Sequence, residues 1–332
     1  MISQINSFCN LTSKQEYILF LENSSTNIPI FYQNWYLDIV CKSGSWDVIL
    51  EKDNTDDIVG FLVYFTVKRY GKPVIIMPPL VPFSGIWLLP SKATKVETIL
   101  KNELRSIKKL EAAIPKDLAF YTQSHFYNFQ NWLPFYWKGY SQTIRYSFQI
   151  EDLSRWNLTN VATNVRNKIT KAQKSLQAQR IDNPSIVYEQ VHSILTQKGI
   201  HLTLSKEMFL QLDNLLSSRN KRFILAAIDD QNQIHAVTYI IEDEGISYMM
   251  MIGSDVRFRQ SGAIPFLIYH SILETSKRNN VFDFEGSMLE SLFDLFAGFG
   301  GTLMPYYRIY KAKNIFWDIA YRIKYYYDTS NR

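Results

Sequence analysis

Cysteine is almost absent from this chain. Only Cys9 and Cys41 occur, and neither belongs to a C-x-x-C pair. A disulfide scaffold and a cysteine-based zinc site are both unsupported, and a reducing, cytoplasmic setting is the natural expectation. Long apolar runs are missing as well. No stretch reaches the ~18 residues a membrane span requires, and the greasiest, 74–83, is broken by Pro78, Pro79 and Pro82. Residues 1–27 lack the basic-then-apolar pattern of a secretory signal. The histidines at 125, 192, 201, 235 and 270 show no metal-ligand spacing, so no metal is expected. There is no P-loop and no Ser/His/Asp order. Charge is nearly balanced: 36 basic and 31 acidic residues leave a net charge of +5. That mild excess suits an anionic ligand and does not establish nucleic-acid binding.

What is present is enough chain for two domains: 332 residues, 46% of them hydrophobic. The aromatic share, 15%, is high. Aromatic cores explain it more simply than grooves for an extended ligand.

Periodicity predicts a first helix over 13–23, capped by Thr12 or Ser13. An aromatic segment, 29–38, follows as a helix docked by Phe31, Trp35 and Ile39. Strands are expected at 46–51, 58–68 and 73–77, then a proline-rich loop to 90, a helix over 93–113 and strands at 118–121 and 143–150. The second half repeats this order. Helices at 189–199 and 205–219, the latter capped by Ser205, lead to strands at 223–228, 234–241 and 246–251. A glycine-containing loop, a helix over 262–278, a strand at 281–284, a helical or looped stretch at 288–297 and a strand at 303–310 complete it. The separation, about 160–177 residues, is too long for a solenoid and indicates two copies of one α/β domain, 1–155 and 156–332, each with a mixed sheet.

Between the halves a linker helix is expected over 158–180. Val165, Ile169, Ala172 and Leu176 form its apolar stripe, and Arg166, Lys168, Lys171, Lys174 and Arg180 the rest. A solvated face and an anion-binding face explain that basic run equally well. The tail, 314–328, reads as a helix packed on the body, with a membrane-surface helix as the lesser alternative.

The stretch 245–310 has the strongest chemistry. A strand followed by Arg257-Phe258-Arg259-Gln260-Ser261-Gly262-Ala263 and a helix makes an anion cradle, because a helix start presents unpaired N–H groups and the positive end of a dipole. Four pieces here resemble the GNAT superfamily of acyltransferases, and within it the FemAB-like branch. They are Gly253-Ser254-Asp255, Pro265-Phe266-Leu267-Ile268-Tyr269, Phe282-Asp283-Phe284-Glu285-Gly286-Ser287, and Gly298-Phe299-Gly300-Gly301 with Pro305-Tyr306. The resemblance implies two tandem GNAT-like domains and an N-acyltransferase acting on an amine of a cell-envelope precursor, amino sugar or related small molecule.

It also implies roles. Backbone groups at Met251–Gly253 would face the acyl carbonyl, and Arg257, Arg259, Gly262 and Ala263 would hold the donor's phosphates. Glu285 would accept the amine's proton, with Asp283 structural, and Tyr306 or Tyr307 would protonate the leaving group. Trp35, Arg166 and Lys171 would meet the acceptor. Two departures from the family pattern concern the donor. Ile264 stands where a second small residue would admit a pyrophosphate, and Ala297 stands where aminoacyl-tRNA-dependent members carry Lys. The donor expected is acyl-CoA. An aminoacyl-tRNA-dependent peptidyltransferase and a non-catalytic binding protein are the alternatives.

Overall fold

The computed structural model describes residues 11–330 apart from 198, 200, 201, 203, 287 and 289. Cys9, His201 and Ser287 therefore lie outside the described residues. Helix α1 (Ser13–Asn23) opens with a capping box. The Thr12 side chain accepts from Gln15 N, and Gln15 accepts in turn from Thr12 N. One 3-10 turn, Ile30–Tyr32, precedes α2 (Asn34–Val40) and buries Phe31. Strands β1 (Ser45–Lys52), β2 (Ile58–Arg69) and β3 (Lys72–Ile76) form an antiparallel meander. The proline-rich loop then contains a strand that its prolines hide, β4 (Gly85–Leu88), which pairs with β2 beyond the end of β3. Helix α3 (Val96–Ala112), β5 (Phe120–Ser124), α4 (Leu133–Trp137) and β6 (Ser141–Ile150) complete the first half.

The linker helix is shorter than expected. Helix α5 covers Thr163–Ala172, and the chain turns at Ser175 and Leu176, both of which donate to Ala172 O. Residues 177–180, assigned to that helix from the sequence, belong instead to strand β7 (Gln177–Ile181). The open edge of β8 recruits them, and helical spacing carries no information about such a partner. Their mostly exposed polar side chains suit an edge strand. Helices α6 (Pro184–Gln197) and α7 (Lys206–Ser218) follow, with Ser205 capping α7 through Met208 N. Then come β8 (Arg222–Ile228), β9 (Ile234–Glu242), β10 (Ile246–Ser254), α8 (Ala263–Thr275), β11 (Val281–Asp283), α9 (Glu290–Gly298), β12 (Thr302–Ala312) and α10 (Ile315–Ser330).

All the strands join one mixed sheet, ordered β1-β2-β3-β5-β12-β6-β11-β10-β9-β8-β7, with β4 on β2. The halves match. Each runs as a three-strand meander, a helix and a fourth strand parallel to the third, β3 with β5 and β10 with β11. Each half then gives its closing strand to the other. β12 lies between β5 and β6, and β6 lies between β12 and β11. One sheet face carries two cores, under α3 and α4 and under α5, α8 and α9. The opposite face carries one continuous core that α1, α2, α6 and α7 share across both halves.

A buried polar triad fixes α7 to the sheet. Arg222 forks onto Asp213 (2.8 and 3.0 Å), and the Tyr239 hydroxyl donates to the same carboxylate at 2.9 Å. Asp213→Ala leaves the buried Tyr239 hydroxyl without its acceptor and the Arg222 guanidinium with only the exposed Asp182. It should lower stability by about 3–5 kcal/mol, read as an earlier urea midpoint with an unchanged slope.

Candidate functional site

The site begins where two parallel strands part. β10 and β11 pair only from Ile246 with Val281 to Tyr248 with Asp283. A bulge between Met249 and Met251 then bends β10. It also turns Met251 onto the same core as Tyr248, while Met249 faces the other. β11 stops at Asp283, and its chain continues as Phe284-Glu285-Gly286, with Glu285 and Gly286 at φ of 50° and 40°. A left-handed glutamate costs about 1–2 kcal/mol, so the surroundings must hold it there.

Asp283 does the holding. Its fully buried carboxylate accepts from Tyr127 Oη (2.7 Å), Ser147 Oγ (2.5 Å), Gln149 Nε2 (2.7 Å) and Glu285 N (2.7 Å). Four donors around one carboxyl favour its ionised, acceptor-only form. Burial raises its pKa and these hydrogen bonds oppose the rise. Gly286 N donates to Ser147 Oγ at 2.7 Å, which seats the Glu285–Gly286 turn on β6. The structural role expected for Asp283 is what these bonds describe.

Glu285 stands at the mouth of the gap, partly exposed. Burial of its carboxyl, reinforced by the Asp283 charge and opposed by Arg145 and Arg308, pushes its pKa up to about 8. Tyr306 lies on the same side. A Cβ added to Gly286 would come 3.4 Å from the Tyr306 hydroxyl. Tyr306 packs on Phe83 and Tyr127, and its phenol is raised by burial and then by Glu285. Tyr307 points to the opposite face, against Trp132, so of the two tyrosines only Tyr306 shares Glu285's surroundings.

The loop at the start of α8 is arranged differently. Arg257 forks onto Asp255 of its own turn (2.7–3.1 Å), and Arg259 donates to Gln197 Oε1 at 3.1 Å; both are exposed. Ala263 N donates to Ser261 Oγ at 3.3 Å, and Pro265 has no N–H to offer. Gly262 is the N-cap at φ +77°, and a Cβ there would meet the Lys168 carbonyl oxygen at 3.0 Å. Helix α5 thus packs directly on this corner. Gly262→Ala should destabilise the protein by about 1–2 kcal/mol from the left-handed backbone alone, seen as a lower Tm. Met251 and Gly253 lie on β10 under α6, where a Cβ on Gly253 would come 3.0 Å from Gln190 Cβ.

The remaining expected contacts are not brought together. Trp35 lies beneath the Arg219 guanidinium, 4.6 Å from its ring centroid, in the core shared by both halves. Arg166 and Lys171 are on α5 at the other sheet face, where Arg166 donates to Leu158 O and Thr163 Oγ1. His125 is buried against Phe129, accepts from Ile86 N and is pushed down to about 3 by burial, as a structural histidine would be. The Gly298-Phe299-Gly300-Gly301 turn anchors the chain ahead of α5. Gly298 O accepts from Ala162 N, and Phe299 O from Trp156 Nε1.

Arg145, Ser147, Gln149 and Tyr127 were missed from the sequence. The first three, with Thr143, form a row of polar residues at every second position of β6, a period-2 signal that was readable there. Among the described residues no cluster of three or more His, Cys, Asp or Glu is placed to hold a metal, and no helix is long and apolar enough to cross a membrane.

No protein-family model matches the sequence, and no curated protein matches it. Solved structures do share its architecture. The crystal structure of FemX aligns over 90% of this chain and 96% of its own, at 11% identity and a TM-score of 0.63. L-PGS from Bacillus licheniformis aligns over 84% and 87% of the two chains, at 11% identity and a TM-score of 0.52. The C-terminal domain of a putative lysylphosphatidylglycerol synthetase from Agrobacterium fabrum aligns over 84% and 91%, at 10% identity and a TM-score of 0.51. The chain therefore shares the fold of the FemX and L-PGS structures, built from two halves of matching strand order.

Proposed function

We propose that the chain is an N-acyltransferase that moves an acyl group from an activated donor to an amine of a cell-envelope precursor, amino sugar or related small molecule. The observation that supports this most is Glu285. It is a carboxyl at the mouth of a parallel-strand gap, held in a strained conformation by four hydrogen bonds to its neighbour Asp283, and raised to about 8. A base with that pKa is matched to an ammonium at neutral pH.

In this reading Glu285 takes the proton of the incoming ammonium, directly or through one water. The freed nitrogen forms a C–N bond to the acyl carbon, and the carbon–sulfur bond of an acyl thioester, or the carbon–oxygen bond of an ester, breaks. Tyr306, kept protonated by its raised pKa, gives a proton to the leaving group and regains one from the nitrogen, which loses its second proton as the amide forms. Main-chain N–H groups beside the gap hold the developing oxyanion.

The preferred donor is an acyl-CoA, with Arg259 and the first amides of α8 next to its phosphates. A second reading, an aminoacyl donor carried on tRNA, gains from the loop geometry. Arg257 is committed to Asp255, Pro265 lacks a donor, and α5 packs on Gly262. The names of the FemX and L-PGS structures are compatible with either.

The test is ligand-induced stabilisation, followed by a transfer assay with the donor that binds. A donor present at 100 times its Kd adds about 2.7 kcal/mol to the native state. Acetyl-CoA raising Tm supports the first reading, and aminoacyl-tRNA alone doing so supports the second. If neither raises Tm, the protein is a binding protein on a transferase fold.

A further inference from the structure

Helix α10 is apolar on both of its sides. The inner side carries Trp317 and Tyr321. The Trp317 ring centroid stands 6.0 Å from that of Tyr70 at the tip of the β2–β3 hairpin, and Tyr321 packs on Phe120 at 4.9 Å and Tyr310 at 4.7 Å. The outer side carries Ile315, Phe316, Ile319 and Ile323, which the helical period gathers within about 100° of arc. These four side chains are between 48% and 72% exposed. A helix on a protein surface ordinarily turns polar residues outward, so three isoleucines and a phenylalanine in one outer stripe make an unfinished surface. Tyr70 beside it is 85% exposed.

Charge gathers at the same place. Four connections meet at this end of the sheet: β2–β3, α3–β5, α4–β6 and β12–α10. Ala119 N donates to Pro73 O (2.9 Å), Lys313 N to Ala119 O (3.0 Å) and Lys311 Nζ to Lys138 O (2.7 Å), which makes the four neighbours. The hairpin exposes Lys68, Arg69 and Lys72, and the other three expose Lys116, Lys138, Lys311 and Lys313. Asp117 is the one acid on these connections, and its carboxylate stands 3.9 Å from Lys313 Nζ. Seven cations against one carboxylate thus form a rim at the start of α10, on a chain whose net charge is only +5.

The combination selects the occupant. Apolar and aromatic side chains enter the headgroup boundary of a bilayer, while lysine and arginine keep their charged ends on its phosphates. A nucleic acid would use the rim and leave the stripe wet. A second copy docked through the same stripe would bring two basic rims together. We propose that this end of the sheet docks on an anionic phospholipid surface, with the α10 stripe and Tyr70 in the headgroup layer and the basic rim on the lipid phosphates. The contact is peripheral, with α10 lying on the surface. It rests on this patch alone and not on the acyltransferase reading.

Co-sedimentation of the full chain with lipid vesicles decides the matter. Vesicles of equal parts phosphatidylglycerol and phosphatidylcholine should carry the protein down, and vesicles of phosphatidylcholine alone should not. Added NaCl should release it, because exposed charges are screened. Phe316→Ser combined with Ile319→Ser should weaken binding by at least about 10-fold. Lys68→Glu combined with Lys72→Glu, on a hairpin outside the helix, should weaken it by about the same factor. All four positions are exposed, so both double variants should keep the wild-type Tm. Should the serine pair fail to fold, the hairpin pair still decides. No co-sedimentation, equal binding to both kinds of vesicle, or full binding by either double variant overturns the proposal. So does a duplex RNA that binds as tightly and ignores the serine pair, which would make the rim a nucleic-acid face. A dimer in solution that the serine pair splits would make the stripe a subunit contact, and it overturns the proposal as well.

Discussion

Glu285→Gln lowers kcat for acyl transfer by about 10²–10⁴-fold, the range over which a positioned general base acts. Glutamine keeps the shape and loses only the ability to take a proton, so the strained turn survives and donor binding, read by Tm shift, is retained. The pH profile separates this role from a structural one. A base works when ionised, and burial with the Asp283 charge holds this carboxyl at about 8. The wild-type rate should climb with pH and level off above about 8, and the Gln variant should lose that limb. Stability runs in the opposite direction. The folded pKa lies above the unfolded one, so the contribution of the protonated carboxyl is fully present at low pH and fades as pH rises through about 8. Wild-type Tm should fall between pH 5 and 9 more steeply than that of Glu285→Gln. Equal slopes together with undiminished turnover would remove Glu285 from the chemistry.

Asp283→Ala is expected to be the most destabilising single change near the site, at about 3–5 kcal/mol. It leaves Tyr127, Ser147, Gln149 and the Glu285 amide without their shared acceptor in a fully buried place. Calorimetric Tm or a urea midpoint reads the loss. Asp283→Asn retains the volume but brings an NH₂ group among four donors, so it should recover only part of the stability. Both variants release the left-handed turn and should lower kcat through misplacement of Glu285, with a smaller effect on KM. A variant of wild-type stability would show that the four bonds do not act as a unit.

Much of the architecture was legible in the residues because it is written at short range. Thr12 with Gln15, and Ser205 with Met208, announce their helices by capping. Val165, Ile169, Ala172 and Leu176 repeat with the helical period and are all buried. The matching order of strands and helices in the two halves revealed the duplication, since each segment's pattern reports which of its own faces is buried. At the candidate site, Glu285 and Tyr306 were named through motif resemblance, and the structure places them near each other. Arg257, Arg259, Trp35, Arg166 and Lys171 were named by the same reasoning, but what each of them touches was not readable. Arg257 closes on Asp255 within its own turn, a choice made by loop geometry and not by residue type.

The sequence by itself determined the identity of most elements, the twofold repeat and the lack of any long apolar span. Only the tertiary structure decided that β12 and β6 cross into each other's halves, that β4 and β7 exist, and that Asp283 grips Tyr127, Ser147 and Gln149 to hold Glu285 upright. The physical reason is range. A helix or strand period is set by neighbours a few residues away. The pairing of β12 with β6 and the Asp283 network join groups separated by more than a hundred residues, and a one-residue change of register would turn Arg145, Ser147 and Gln149 away from the site altogether.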